Sequence, residues 1–171
     1  GGEALLRKDL GEILNYAKWK GFYINLTTNG YYVDRRIDEI RCVDAIVVSL
    51  DGTEHNNDKL RGKGCYETAV KALKIVMANG IPVTISATLT RSSANDIQYL
   101  ADLGKSMKVN LQYSILYNSD TMKAKEDARD IWMNDDEIRE ATSKILELKR
   151  AGYPIYYQEE VLEALLEWPA T

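Results

Sequence analysis

The sequence predicts an α/β fold built on a parallel sheet, and three observations carry that prediction. Helical apolar stripes alternate with short β-rich runs along the chain. Lys20-Gly21-Phe22, Asn79-Gly80-Ile81-Pro82 and Ala151-Gly152-Tyr153-Pro154 each end a helical stripe and open an extended run, so supersecondary units repeat although sequence does not. Small polar groups recur where apolar runs stop: Thr27-Thr28-Asn29-Gly30 closes one and Ser49-Leu50-Asp51-Gly52 the next. Alternating β and α signals favour parallel strands joined by right-handed crossovers. Strands are predicted near 22–28, 45–50, 82–89 and 109–116, in sequential spatial order, with a weak fifth at 153–157. A closed eight-stranded barrel needs about 200 residues or more. The 171 residues here therefore make an open, parallel-stranded partial (β/α) barrel or a doubly wound sheet.

The elements follow in order. Leu6, Leu10, Ile13, Leu14 and Ala17 repeat at helical spacing, and Gly21 ends that helix as a left-handed cap. Phe22 to Thr27 is extended, and a short helix is expected around Asp34 to Ile40. Ala45 to Leu50 is almost continuously apolar, as in a strand covered on both faces. Tyr66, Ala69, Val70, Leu73, Val76 and Met77 form the next helical stripe, followed by a β-rich run from Val83 to Leu89. A helix from about Ser93 to Leu103 is expected to end at Gly104, before a strand from Val109 to Leu116. Asn118 to Arg129 is polar and predicts a mobile loop or a short irregular helix. Asn134 with Glu137 has the spacing of a capping box, and Ile138, Ala141, Ile145 and Leu148 continue one helical face from it. Glu159 to Trp168 reads as a final amphipathic helix.

Composition bounds the function classes. Hydrophobic residues make up 45% and charged residues 28%, ordinary for a single globular domain with a sizeable core over residues 1–171. A net charge of −4 gives no electrostatic reason to expect nucleic acid or an anionic membrane as partner. No apolar run approaches the ~20 residues needed to span a bilayer. The first residues lack the basic and apolar segments of a secretory signal, and there is no initiator Met. The expectation is an internal piece of a longer, cytoplasmic protein. Cys42 and Cys65 read as small semi-buried side chains, too few for an iron–sulfur cluster, which normally takes three or four thiolates. The single histidine, His55, reads as a surface-loop residue rather than a metal ligand. Asn25-Leu26-Thr27 matches a glycosylation sequon but falls inside a predicted strand, and the match is read as chance.

A βα array that collects polar groups at successive strand ends builds a ligand site on one rim of its sheet. Gly1-Gly2-Glu3 opens the chain with glycines that let a backbone approach a ligand closely; the other reading is a flexible terminus. Ser49 and Asp51 lie two apart and so share one side of an extended chain. Asp51 could equally be a turn cap, and Arg61, in Lys59-Leu60-Arg61-Gly62, a solvated charge. Thr28, Asn29, Ser49, Asp51 and Thr88 are expected together on the rim at the strands' C-terminal ends. Thr84, Ser86 and Thr88, like Asn110 and Gln112, alternate along strands. They fit both a substrate-facing barrel interior and a set of structural polar groups.

In order and spacing these pieces resemble the S-adenosylmethionine (SAM) radical enzymes. There Gly-Gly-Glu-Pro follows the second strand, Thr-Asn-Gly the third and Ser-Leu-Asp-Gly the fourth. The resemblance runs roughly from Gly1 to Leu116. The tail Gly152-Tyr153-Pro154-Ile155-Tyr156 looks like the stretch that precedes a cysteine-rich SPASM or twitch extension in many members. Two departures stand out: Ala4 replaces the motif's Pro, and the family's C-x3-C-x2-C triplet is absent. The resemblance implies a fragment of an enzyme that reductively cleaves SAM to a 5′-deoxyadenosyl radical, which takes hydrogen from a small-molecule or peptide substrate. It implies a 4Fe–4S cluster and an electron donor for the parent protein, and no cleavage by this piece alone. It further implies that Gly1, Gly2 and Glu3 meet the SAM amino group. Ser49 and Asp51 would serve its ribose and carboxylate, Arg61 would pair with the carboxylate, and Thr28, Asn29 and Thr88 would also bind SAM. Two other classes stay open: a non-catalytic α/β binding module derived from that fold, and an unrelated α/β enzyme whose strand-end Ser and Asp act on a phosphorylated or hydroxylated substrate.

Overall fold

The computed structural model describes residues 2–116 and 131–167. The expectations for Gly1, for the segment Asn118 to Arg129 and for Trp168 fall outside the described residues. One four-stranded sheet is present among them, in the order β1-β2-β3-β4: β1 Asn25–Thr28, β2 Ala45–Ser49, β3 Val83–Leu89 and β4 Asn110–Ile115. β1 pairs parallel with β2, and β2 with β3, as predicted. The chain divides into two compact units, Gly1–Leu50 with Asn57–Ser86 and Asp51–Asn56 with Ala87–Thr171.

In the first unit the register sets Leu26 beside Ile46, and Val48 beside both Thr28 and Ile85. Leu26, Ile46, Val48 and Ile85 are all buried, as are Val33 and Ile40 of α2 (Val33–Ile40) and Ala69, Ala72, Leu73 and Val76 of α4 (Cys65–Ala78). α4 packs on both β2 and α2. Each buried Leu, Ile or Val contributes about 1.5–3 kcal/mol to folding. β1 is shorter than the apolar pattern suggests, because Phe22 and Tyr23 stand 64% and 74% exposed and leave the ladder to begin at Asn25. The first helix also differs. A short 3-10 turn, Ala4–Leu6, buries Leu5 and precedes α1, Leu10–Trp19. Leu6, expected on the helical stripe, faces solvent.

In the second unit α5 (Ile97–Met107) and α6 (Asp135–Arg150) pack together, and α7 (Glu159–Leu166) packs on α6. The predicted capping box opens α6: Asn134 Oδ1 accepts from the Glu137 amide at 2.9 Å, and the Asn134 amide donates to Glu137 Oε2 at 2.7 Å. Tyr113 of β4 is buried, its hydroxyl donating to the Ile97 carbonyl at 2.8 Å, and burial pushes that phenol far above its usual range. The weak fifth strand reduces to a single parallel bridge between Leu111 and Ile155. α5 does not stop at Gly104. It runs on to Met107, because Gly104 lets the helix press on the chain that follows: a Cβ there would lie 3.0 Å from the Val109 carbonyl oxygen and 3.6 Å from Pro154 Cγ.

One element was not legible. α3, Glu54–Arg61, has only Leu60 as an apolar residue and so shows no stripe. His55 therefore lies exposed on a helix rather than in a loop.

Candidate functional site

The ends of β1 and β2 in the first unit are built from the opening residues upward. The half-buried Glu3 carboxylate bonds within the protein. Its Oε1 accepts from the Leu5 amide at 3.0 Å and from the Thr28 hydroxyl at 2.9 Å, and its Oε2 accepts from the Asn29 amide at 2.8 Å. Thr28 is 2% exposed, and its Oγ1 also accepts from the Gly30 amide at 3.0 Å. Both side chains thus tie the opening segment to the end of β1. The Gly2 backbone beside them is exposed, at φ +95°. Gly30 has a packing role: a Cβ would lie 2.8 Å from Ala72 Cβ and 3.3 Å from the Thr68 carbonyl oxygen, so only glycine lets this turn lie against α4.

That packing frames a cavity of about 330 Å³ lined by Asn29, Tyr31, Ser49, Arg61, Cys65 and Thr68. Asn29, Ser49 and Arg61, three of the residues singled out from the sequence, therefore share one concavity. Its far wall is shaped by Asp58. Asp58 Oδ2 accepts from the Gly64 amide at 2.6 Å, and Oδ1 from the Tyr66 amide at 2.8 Å. These amides, Tyr66 first and then Gly64, hold the Asp58 carboxyl below the usual carboxylate range. The turn they fix, with Gly62 at φ +110° and Gly64 at φ +82°, joins Arg61 at the end of α3 to Cys65 at the start of α4. Chemically the cavity offers a guanidinium, a hydroxyl and an amide, a set suited to a carboxylate or to ribose oxygens.

In the second unit, Asp51 and Thr88 meet. Asp51 is 4% exposed, and its Oδ1 accepts from the Thr88 amide at 2.8 Å. The neighbouring Gly52-Thr53 turn is held by Asp96, which is 7% exposed. Asp96 Oδ2 accepts from the Thr53 amide at 2.8 Å, the Thr53 hydroxyl at 2.9 Å and Asn56 Nδ2 at 2.7 Å. Asp51 is accordingly a brace for the end of β3 as well as a strand-end polar group. Thr84, Ser86 and Thr88 are half-buried and alternate with buried Ile85, Ala87 and Leu89, so they share one face of β3.

Sequence reasoning passed over Asp58 and Asp96. A signal for Asp58 exists: Gly62-Lys63-Gly64 directly precedes an apolar helical stripe, with a carboxylate six residues before its last glycine. Asp96 stands at an ordinary N-cap position, and only the missing side chain of Gly52 hints at a close partner. The thiols are half-buried, Cys65 Sγ donating to the Arg61 carbonyl at 3.2 Å and Cys42 Sγ lying 3.8 Å from the Glu39 carbonyl. Among the described residues no group of three or more His, Cys, Asp or Glu is placed to hold a metal ion. None of their helices is long and apolar enough to cross a membrane.

The chain is similar to several known proteins. Fe-coproporphyrin III synthase of Methanosarcina barkeri is 32% identical over 169 residues, covering 95% of this chain and 41% of that protein. Mycofactocin maturase MftC of Mycobacterium ulcerans is 34% identical over 109 residues, 60% of this chain and 29% of that one. The chain thus spans less than half the length of either relative. The fold matches SuiB of Streptococcus suis (TM-score 0.76, 16% identity, 92% of this chain and 37% of SuiB). It also matches anSMEcpe with bound AdoMet (TM-score 0.68, 18% identity, 97% of this chain and 50% of that one). The sequence profile of the Radical SAM superfamily matches residues 1–112, and the chain belongs to that superfamily.

Proposed function

We propose that this chain is the SAM-binding part of a radical SAM enzyme, with the methionyl end of SAM held in the cavity at the ends of β1 and β2. The observation that carries the reading is the convergence of Asn29, Ser49 and Arg61 on one cavity. Arg61 pairs with the SAM carboxylate, and Ser49 and Asn29 donate to the carboxylate or to ribose oxygens. The exposed Gly2 main chain beside Glu3 receives the amino group. Thr28 and Glu3 serve by holding the opening segment against Asn29, since their own polar atoms bond within the protein. Thr88 and Asp51 are joined to each other by the Thr88 amide bond.

The residues present suit SAM and do not suit the cluster. Two cysteines, each with its thiol directed at a main-chain carbonyl, cannot supply the three or four thiolates a 4Fe–4S cluster takes. Its ligands belong to sequence other than these residues, in a longer parent. In that parent the reaction is reductive SAM cleavage to a 5′-deoxyadenosyl radical, with hydrogen abstraction from a peptide or small-molecule substrate and electrons from a separate donor. Relatives named PqqA peptide cyclase, and SuiB solved with its precursor peptide SuiA, support that substrate range.

The full-length gene product, reconstituted anaerobically with iron and sulfide and given a low-potential reductant, tests this. It should release 5′-deoxyadenosine, detected by chromatography. Arg61→Ala should weaken SAM binding about tenfold or more, from the loss of a charge-assisted bond of ~1.5–3 kcal/mol, and leave cluster absorbance unchanged. A parent that holds its cluster and yields no 5′-deoxyadenosine would be a binding module instead.

A further inference from the structure

Arg36, on α2, makes contacts that no motif predicts. Its Nη1 donates to two main-chain oxygens far back in the sequence, Leu5 at 2.5 Å and Arg7 at 2.6 Å. Its Nε donates to Glu39 Oε1 at 2.9 Å, and its Nη2 pairs with Glu39 Oε2. The side chain is 14% exposed, against 60% for Arg41, which pairs with Asp38 on the same helix. A third feature belongs with the pair. Gly11 of α1 packs against Glu39, where a Cβ would stand 3.3 Å from Oε2. Gly11 thus leaves the space in which Glu39 orients the guanidinium.

The segment that Arg36 grips has little order of its own. It is a three-residue 3-10 turn, Ala4–Leu6, after a glycine at φ +95°. Two clamps secure it. Upstream, the Glu3 carboxylate binds the end of β1 through Thr28 and Asn29. Downstream, Arg36 holds the carbonyls of Leu5 and Arg7. α2 itself begins at Val33, three residues after Gly30, so one rigid element bears both the turn that carries Asn29 and the clamp on the opening segment. The planar fork meets the Glu39 carboxylate with Nε and Nη2 while Nη1 serves two carbonyls, a geometry that the compact ammonium of a lysine does not reproduce.

We propose that Arg36 is a positioning residue for SAM: by clamping Leu5 and Arg7 it holds the Gly2–Glu3 main chain where the amino group of SAM is received. This rests on the SAM site proposed above. A segment fixed before the ligand arrives spares binding the entropy of ordering it, so the loss on removing Arg36 falls on the amino group in particular.

The experiment uses the full-length, cluster-loaded protein. It measures equilibrium binding of SAM and of the SAM analogue that lacks the α-amino group. Arg36→Met should raise the SAM Kd about tenfold and the Kd of the deamino analogue less than about twofold. Arg36→Lys should recover only part of the loss, and Arg41→Met should change neither ligand. Equal weakening of both ligands by Arg36→Met, or of neither, overturns the proposal. If Arg36→Met does not fold, Gly11→Ser, which crowds Glu39, takes its place: a loss confined to SAM supports the proposal, and an equal loss for both ligands overturns it. A wild-type protein that does not bind SAM overturns the site itself, before Arg36 is in question.

Discussion

Gly52 stands so close to Asp96 that a Cβ built on it would lie 2.3 Å from Asp96 Oδ2. The reason is space, since Gly52 does not take a left-handed conformation. A carboxylate that is 7% exposed needs donors, and Asp96 finds three in Thr53 and Asn56 only because nothing projects from the residue before them. Gly52 is the last residue of Ser49-Leu50-Asp51-Gly52, so part of that motif serves the fold.

Gly52→Ala should therefore destabilise the protein by about 1–3 kcal/mol, the range for overpacking a tight site. Asp96→Ala should also destabilise, by stranding the Thr53 amide and the Asn56 amide group, at about 1–3 kcal/mol. The double variant should cost clearly less than the sum, because the alanine at 52 no longer has a carboxylate to strike. Urea unfolding of the four proteins measures this, and strict additivity would refute the contact.

Asp58 predicts a pH effect. Main-chain amides hold its folded pKa below the unfolded value of about 3.9. The stability it adds is thus complete above that pH and disappears as the pH falls through the folded value. Asp9, Asp34, Glu39, Asp44 and Glu137 shift in the same direction through their own partners, so the test is a difference between two proteins. Asp58→Asn should be less stable than wild type at neutral pH, and the gap should close below about pH 4. Chemical unfolding midpoints from neutral pH down to about pH 2 follow it. A gap independent of pH would mean that the Asp58 charge plays no part in fixing the Arg61–Gly64 turn.

How far the sequence could be read depended on whether a contact was local. Asn29 and Ser49 were visible in strand-end motifs and Arg61 as a basic residue downstream of the second, and the three share a cavity. The bond from Thr28 to Glu3 spans 25 residues and engages the two side chains with each other, which no spacing rule reveals. α3 was missed because carboxylates near its start and within it, Asp96 and Asp58, fasten it where an apolar stripe would normally do so. Arg36 was missed because its partners are carbonyls of Leu5 and Arg7, and a carbonyl leaves no mark in the sequence.

Helix ends give the last prediction. α1, α4 and α6 finish alike. The residue after the cap is a left-handed glycine, Gly21, Gly80 or Gly152, at φ +81°, +70° and +80°. The amide after each glycine reaches back to close the turn: Phe22 to Ala17 at 3.1 Å, Ile81 to Val76 at 3.3 Å and Tyr153 to Leu148 at 3.1 Å. α5 closes in the same way, with the Val109 amide donating to the Gly104 carbonyl at 2.9 Å. The left-handed position there is Lys108, at φ +58°, the one non-glycine residue with positive φ among the described residues. An L side chain in that conformation costs roughly 1–2 kcal/mol. Lys108→Gly should thus stabilise the protein by about 1 kcal/mol, less whatever glycine adds to the freedom of the unfolded chain. Gly104→Ala should not stabilise it despite alanine's better helix propensity, because the new Cβ meets the Val109 carbonyl at 3.0 Å. Thermal unfolding of the two single variants separates the two glycine roles. A destabilising Lys108→Gly, or a stabilising Gly104→Ala, would return the end of α5 to Gly104.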